Sequence, residues 1–167
     1  INNTKTPTLN NLMSKVDWDF ISSGIPTRIH GDFHFENILK IGNKKYKFLD
    51  WRQDFGGIID YGDIYYDLAK LYHGIIVDHG AIRNDMFSIK LSSSKKVIDY
   101  EIYRKQSSYK LEKILINFLK QNKLSITKVK LLTSLIFLNI ATLHHQPYSI
   151  FLYFLGKDML NKVLNDK

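Results

Sequence analysis

The sequence contains no cysteine, which excludes a disulfide framework and a thiolate zinc site alike. It is also poor in proline, with three residues, and no low-complexity tract or internal repeat breaks it into modules. Its longest apolar stretches are interrupted by polar residues, so no membrane span is expected. No basic-then-apolar signal peptide opens the chain, and a cytoplasmic location is the expectation. Acid is scarce as well: 16 Asp and Glu stand against 24 Lys and Arg, for a net charge of +8. A basic surface attracts nucleic acid, anionic membrane or nucleotide phosphate. Here the cations are spread. Lys105, Lys110, Lys113, Lys120, Lys123, Lys128 and Lys130 fall in expected helices and read as a solvated face. There is no Arg-rich segment and no RNA-binding aromatic motif, so nucleic acid is not an expected partner. The residues before Pro26 contain no Gly-rich phosphate loop and no run of strands.

What is present is chemistry concentrated in one place. The chain has 167 residues, a length that suits one domain with a real core. Residues 30–37 read His-Gly-Asp-Phe-His-Phe-Glu-Asn, and an apolar run ending in Asp50-Trp51 follows. Asp32 and Asn37 on one tight loop direct two oxygen-bearing side chains into one cleft. Asn37–Ile41 and Lys45–Leu49 read as the arms of a hairpin, with Gly42-Asn43 as its turn. Such a hairpin returns Asp50 to the side of Asn37. Mg²⁺ takes oxygen ligands and binds through one or two carboxylates plus substrate phosphates, which Asn37 and Asp50 satisfy. Asp32 is then the acceptor of a hydroxyl proton. An acid, an amide and a second acid in this order are the pattern of phosphoryl-transfer enzymes.

Three blocks occur in order: His30-Gly31-Asp32 through Asn37, Leu49-Asp50-Trp51, and Gly62-Asp63-Ile64-Tyr65-Tyr66-Asp67-Leu68-Ala69. Together they resemble the aminoglycoside phosphotransferase and choline kinase family, over residues 26–72. The resemblance implies a protein-kinase-like carboxy-terminal lobe, α+β and mainly α, with a small β-hairpin at the catalytic loop. It implies ATP as phosphoryl donor, Mg²⁺ held by Asn37 and Asp50, and Asp32 as catalytic base, with His30 and Asp67 supporting the loop. Asp67 is expected to hold that loop through backbone N–H groups. Two departures stand out. Phe35-Glu36 precedes Asn37 where the family often has a Pro-Gly pair. The stretch from Asp50 to Gly62 is long and contains Asp54-Phe55-Gly56, the triplet by which protein kinases bind metal. Asp50 is preferred as ligand because it ends the apolar strand. The family also has an amino-terminal nucleotide lobe, and nothing in these residues supplies it. With Ile1 rather than Met at its start, the chain reads as one lobe of a longer protein.

The remaining expectations are coarser. A helix is expected over residues 8–22, with Leu12, Val16 and Phe20 on one face. Pro26 begins an extended approach to His30, and Asp63 caps a helix carrying Tyr65, Leu68, Ala69 and Tyr72. Residues 80–95 read as a polar loop. From about 96 the pattern is helical, with Tyr109, Ile114, Ile116, Phe118 and Leu119 as core. A strongly apolar helix follows at 125–143, and a last one runs from Pro147 through Leu160. His144-His145 reads as a helix end. The family's acceptor site draws on the helices after the third block, so residues 75–165 should set specificity. Asp78, Asp85, Asp99 and Glu101 form no obvious acidic cluster there, which ranks a sugar or an amino alcohol such as choline above an aminoglycoside. Two other functions compete: a non-catalytic lobe serving as scaffold, and a metal-dependent phosphoesterase built on His30, Asp32 and His34.

Overall fold

A computed structural model describes residues 1–94 and 97–166. Among these residues the architecture is mixed α and β, mainly helical, with three antiparallel two-stranded sheets. The expected first helix is two short ones, α1 (Leu9–Met13) and α2 (Trp18–Ser22). The break has a local cause. Thr8 and Asp17 each accept a hydrogen bond from a backbone N–H three residues on, so Asp17 starts a second helix where the periodicity suggested continuity. Leu12 and Val16 are buried and Phe20 is half-buried.

Strand β1 (Pro26–Thr27) pairs with β4 (Gly62–Asp63), and between them β2 (Ile38–Ile41) and β3 (Lys45–Phe48) form the expected hairpin. Ile38 faces Phe48 and Ile41 faces Lys45, with Gly42 at φ +61° in the turn. Asp63 caps α3 (Ile64–Ile76): its Oδ1 accepts from Tyr65 N (3.1 Å) and from Ile25 N (3.0 Å). One carboxylate thus starts the helix and anchors the strand that leads to His30.

The region expected to be a polar loop is structured. It holds α4 (His79–Arg83) and β5 (Phe87–Leu91), and β5 pairs with β6 (Ile98–Ile102). Ile98, Tyr100 and Ile102 alternate with Asp99 and Glu101, a two-residue period that marks a strand with one face inward. The boundary expected at residues 95–96 lies outside the described residues. Helix α5 (Gln106–Gln121) therefore begins later than expected. Its buried residues are Ser108, Leu115 and Leu119; Ile116 is half-buried, while Tyr109, Ile114 and Phe118 are exposed. The core stripe is thus turned from the one expected.

Helices α6 (Ile126–Ile140) and α7 (Tyr148–Asn165) form the centre, α6 packing along both α3 and α7. Ser125 caps α6, whose last turn tightens into a 3₁₀ segment at Ala141–Leu143. The window Ile126–Leu143 has a mean hydropathy of 1.5 and is long and apolar enough to cross a membrane by length and composition alone. Here it is the core helix, with Val129, Leu131, Ile136 and Phe137 buried. Phe137 and Phe151 are fully enclosed, and burying each side chain is worth roughly 1.5–3 kcal/mol. Gly156 is what lets α6 and α7 approach. A Cβ there would sit 2.9 Å from the Ser134 carbonyl oxygen. Lys128, buried on α6, donates to the Ser23 carbonyl and hydroxyl, tying α2 to the core.

Candidate active site

The loop from His30 to Asn37 is held from below by α3. Asp67, in its first turn, accepts from His30 N–H (2.7 Å) and Gly31 N–H (2.8 Å) with separate oxygens. Burial raises the Asp67 pKa, and the two N–H bonds oppose that rise. Gly31 is required where it stands. Its φ is +81°, and a Cβ would meet the Arg52 side chain at 2.6 Å. Arg52 also donates its backbone N–H to the His30 carbonyl (2.9 Å). The end of the apolar run is therefore stitched to the loop across Gly31.

Asp32 emerges from this clamp largely buried. Its Oδ1 receives Lys70 Nζ at 2.7 Å, and its Oδ2 lies 3.3 Å from Arg52 and 3.5 Å from His34 Nε2. Burial pushes its pKa up. The Lys70 hydrogen bond and the charges of Lys70, His34 and Arg52 outweigh that, so the carboxyl is held below its ordinary value. Lys70 comes from α3, three residues after Asp67. One helix face thus supplies both the clamp and the cation.

Asn37 donates its amide to the Asp32 carbonyl (2.9 Å) and contacts His34 Nε2 at 3.2 Å. Its Oδ1 makes no protein hydrogen bond among the described residues. Leu49 N–H donates to the Asn37 carbonyl (2.9 Å), so the hairpin ladder extends one step and delivers Asp50 just beyond Asn37. Asp50 is exposed, has φ +53° and makes no side-chain hydrogen bond among the described residues. Asp54 instead accepts from Gly57 N–H (2.8 Å) and closes its own turn. Asn37 Oδ1 and the Asp50 carboxylate are thus oxygen donors of the kind Mg²⁺ takes.

His30 takes no part in the cleft. It is buried, its Nδ1 accepts from Asp32 N–H (3.3 Å), and its ring lies on Trp51 at 4.8 Å. His30, Asp32 and His34 therefore do not converge as ligands of one ion. A different trio does. His34, Glu36 and His79 bring one ligand atom each within 4.8 Å of one another. Glu36 is already engaged there by His79 and, at 3.2 Å, by Arg83.

A cleft of about 400 Å³ opens over Asp32 and Lys70, walled by His73, His79 and Arg83 and closed by His144 and Tyr148. Sequence reasoning missed most of this wall. Lys70 was missed too, although its place three residues after Asp67 on one helix is a signal that would have found it. Arg83 was hidden because residues 80–95 read as loop, His79 because it stands just before that stretch with no helix expected there, and His144 because it read only as a helix end. The acids Asp78, Asp85, Asp99 and Glu101 lie outside the wall; Asp78 caps α4 and pairs with Lys105 at 3.1 Å. Comparison with protein-family models, curated proteins and solved structures finds no match.

Proposed function

We propose that the chain is the catalytic lobe of an ATP-dependent phosphotransferase with a protein-kinase-like fold, acting on a hydroxyl of a small molecule. The observation that carries this reading is the clamped loop. Asp67 fixes the backbone of His30 and Gly31, Asn37 fixes the carbonyl of Asp32, and the Asp32 carboxylate stands at the floor of an open cleft. Preorganisation of this kind is what phosphoryl transfer asks of a protein, since its loose transition state leaves positioning and charge stabilisation to do the catalysis.

Asp32 accepts the hydrogen bond of the incoming hydroxyl and orients its oxygen at the γ-phosphorus. The new P–O bond forms as the bond to the β,γ-bridging oxygen breaks, and ADP leaves with that electron pair. The hydroxyl proton passes to Asp32 and on to solvent. A carboxylate held below its ordinary pKa is ionised at neutral pH and suits orientation better than early proton abstraction. Lys70 and Arg52 steady the charge beside it. Asn37 Oδ1 and the Asp50 carboxylate would hold Mg²⁺, which neutralises charge on the phosphates. A nucleotide-driven reaction and a cysteine-free chain both fit the cytoplasm.

A second reading, a non-catalytic scaffold, draws on one specific observation: both oxygens of Asp32 are already engaged by cations. Phosphorus NMR of the natural-length protein with ATP, Mg²⁺ and hydroxyl acceptors separates the possibilities. The expected products are ADP and a phosphomonoester. Inorganic phosphate released from phosphomonoesters, with no acceptor needed, would point to a phosphoesterase. No conversion at all would leave the scaffold.

A further inference from the structure

The cleft above Asp32 has the wrong charge for a cationic acceptor. A desolvated ammonium group needs carboxylates or an aromatic cage. The wall offers one carboxylate, Asp32, which Lys70 and Arg52 already occupy. Its one six-membered aromatic ring is Tyr148, packed edge-on against His144 with ring centroids 4.8 Å apart. Counting Glu36 at the rim, Arg52, Lys70 and Arg83 set three full cations against two carboxylates before any imidazole is protonated.

The donors also have a geometric division. Lys70 and Arg52 stand on Asp32, where the phosphoryl group passes. His79 and Arg83 come from α4 and His144 from the turn before α7, so a second set of donors faces the cleft from elements outside the catalytic loop. The Arg83 side chain is 77% exposed and, among the described residues, tethered only by Glu36 at 3.2 Å. A planar guanidinium beside imidazole N–H groups is a fork suited to a carboxylate or phosphate. Burial and neighbouring histidines lower the His144 pKa, which leaves it a neutral donor at physiological pH.

We propose that the hydroxyl acceptor is itself an anion, bearing a carboxylate or phosphate that Arg83, His79 and His144 bind while Asp32 engages its hydroxyl. This rests on the phosphotransferase reading of the cleft and narrows its acceptor class away from choline-like amines and aminoglycosides. Calorimetric titration of the protein with glucose 6-phosphate, gluconate, glucose and choline tests it, alongside ATP turnover on the same four compounds. At least one of the two anions should bind, and which one separates phosphate from carboxylate recognition; glucose and choline should bind at least tenfold more weakly. Arg83→Gln should weaken anion binding about tenfold, whereas Glu36→Gln, which releases Arg83, should strengthen it. A purely structural Arg83–Glu36 pair would give loss or no change in both variants. Binding of choline or glucose as tight as that of the anions, absence of anion binding, or indifference to both substitutions would overturn the proposal. Anion binding without ATP turnover would instead remove the phosphotransferase reading and leave the anion site. Turnover confined to glucose or choline would keep the phosphotransferase and remove the anionic acceptor.

Discussion

Asp50 and Asp54 compete for one role, and their surroundings decide between them. Asp54 spends an oxygen on Gly57 N–H within its own turn, while Asp50 stands one step beyond the Leu49–Asn37 ladder bond with its carboxylate unengaged. Asp50→Asn should therefore raise the Mg²⁺ concentration needed for half-activation by at least tenfold, and Asp54→Asn should change it little. Mg²⁺ titration of turnover in the two variants reads this directly; the reverse order would make Asp54 the ligand. The sequence made Asp32, Asn37, Asp50 and Asp67 legible because each lies in a short ordered block whose spacing is local. It did not reveal Arg83 or His79, because their place in the cleft depends on how α4 packs against the loop. His73 shows the same limit. It is buried on α3 with neither ring nitrogen hydrogen-bonded among the described residues, and burial, Lys70, His79 and His34 lower its pKa to about 3 against a small opposing pull from Asp32. Its ordinary value is 6.5, so the unfolded chain takes up the proton first as pH falls. Stability from this group is complete above that pH and is lost progressively toward pH 3. Between pH 6.5 and 5 the native protein should lose about 2 kcal/mol that a His73→Phe variant keeps. Thermal or urea denaturation at the two pH values checks it; equal losses would show that His73 is not the group responsible.

At the scale of elements, the helix pair α6–α7 depends on one missing side chain. Gly156 faces the Ser134 carbonyl and Leu138, and two of the three nearest atoms, Ser134 O and Leu138 N, are backbone, which cannot swing aside. Gly156→Val should cost roughly 1–3 kcal/mol through overpacking, although valine is the better helix former of the two. A lowered midpoint in thermal denaturation is the expected result; an unchanged or raised one would mean that the helices separate freely. The long apolar pattern of α6 and the Asp63 cap of α3 were readable because their causes are periodic or local. The hairpin of β5 and β6 was not, because short alternating runs beside a basic stretch resemble a loop until a partner strand is known. The orientation of α5 was obscured for a related reason. Its apolar residues cover more than one face, and tertiary packing alone selects Leu115 and Leu119 over Ile114 and Phe118.

Taken whole, the molecule is a helical core that carries an irregular ledge of short strands and loops, and the chemistry sits on the ledge. Helix α3 joins the two: Leu68, Tyr72 and Ile76 face the core while Asp67 and Lys70 reach the loop. That division lets the charged site be substituted without dismantling the fold. It also makes the central claim, that Asp32 is the group around which phosphoryl transfer is organised, open to a direct test. The measurement is the rate of ATP-dependent phosphorylation of a hydroxyl acceptor by the natural-length protein and its Asp32→Ala variant, with circular dichroism of both. The account predicts superimposable spectra and a rate lower by roughly 10²–10⁴ in the variant. A folded Asp32→Ala protein that phosphorylates its acceptor at a near-normal rate would contradict it.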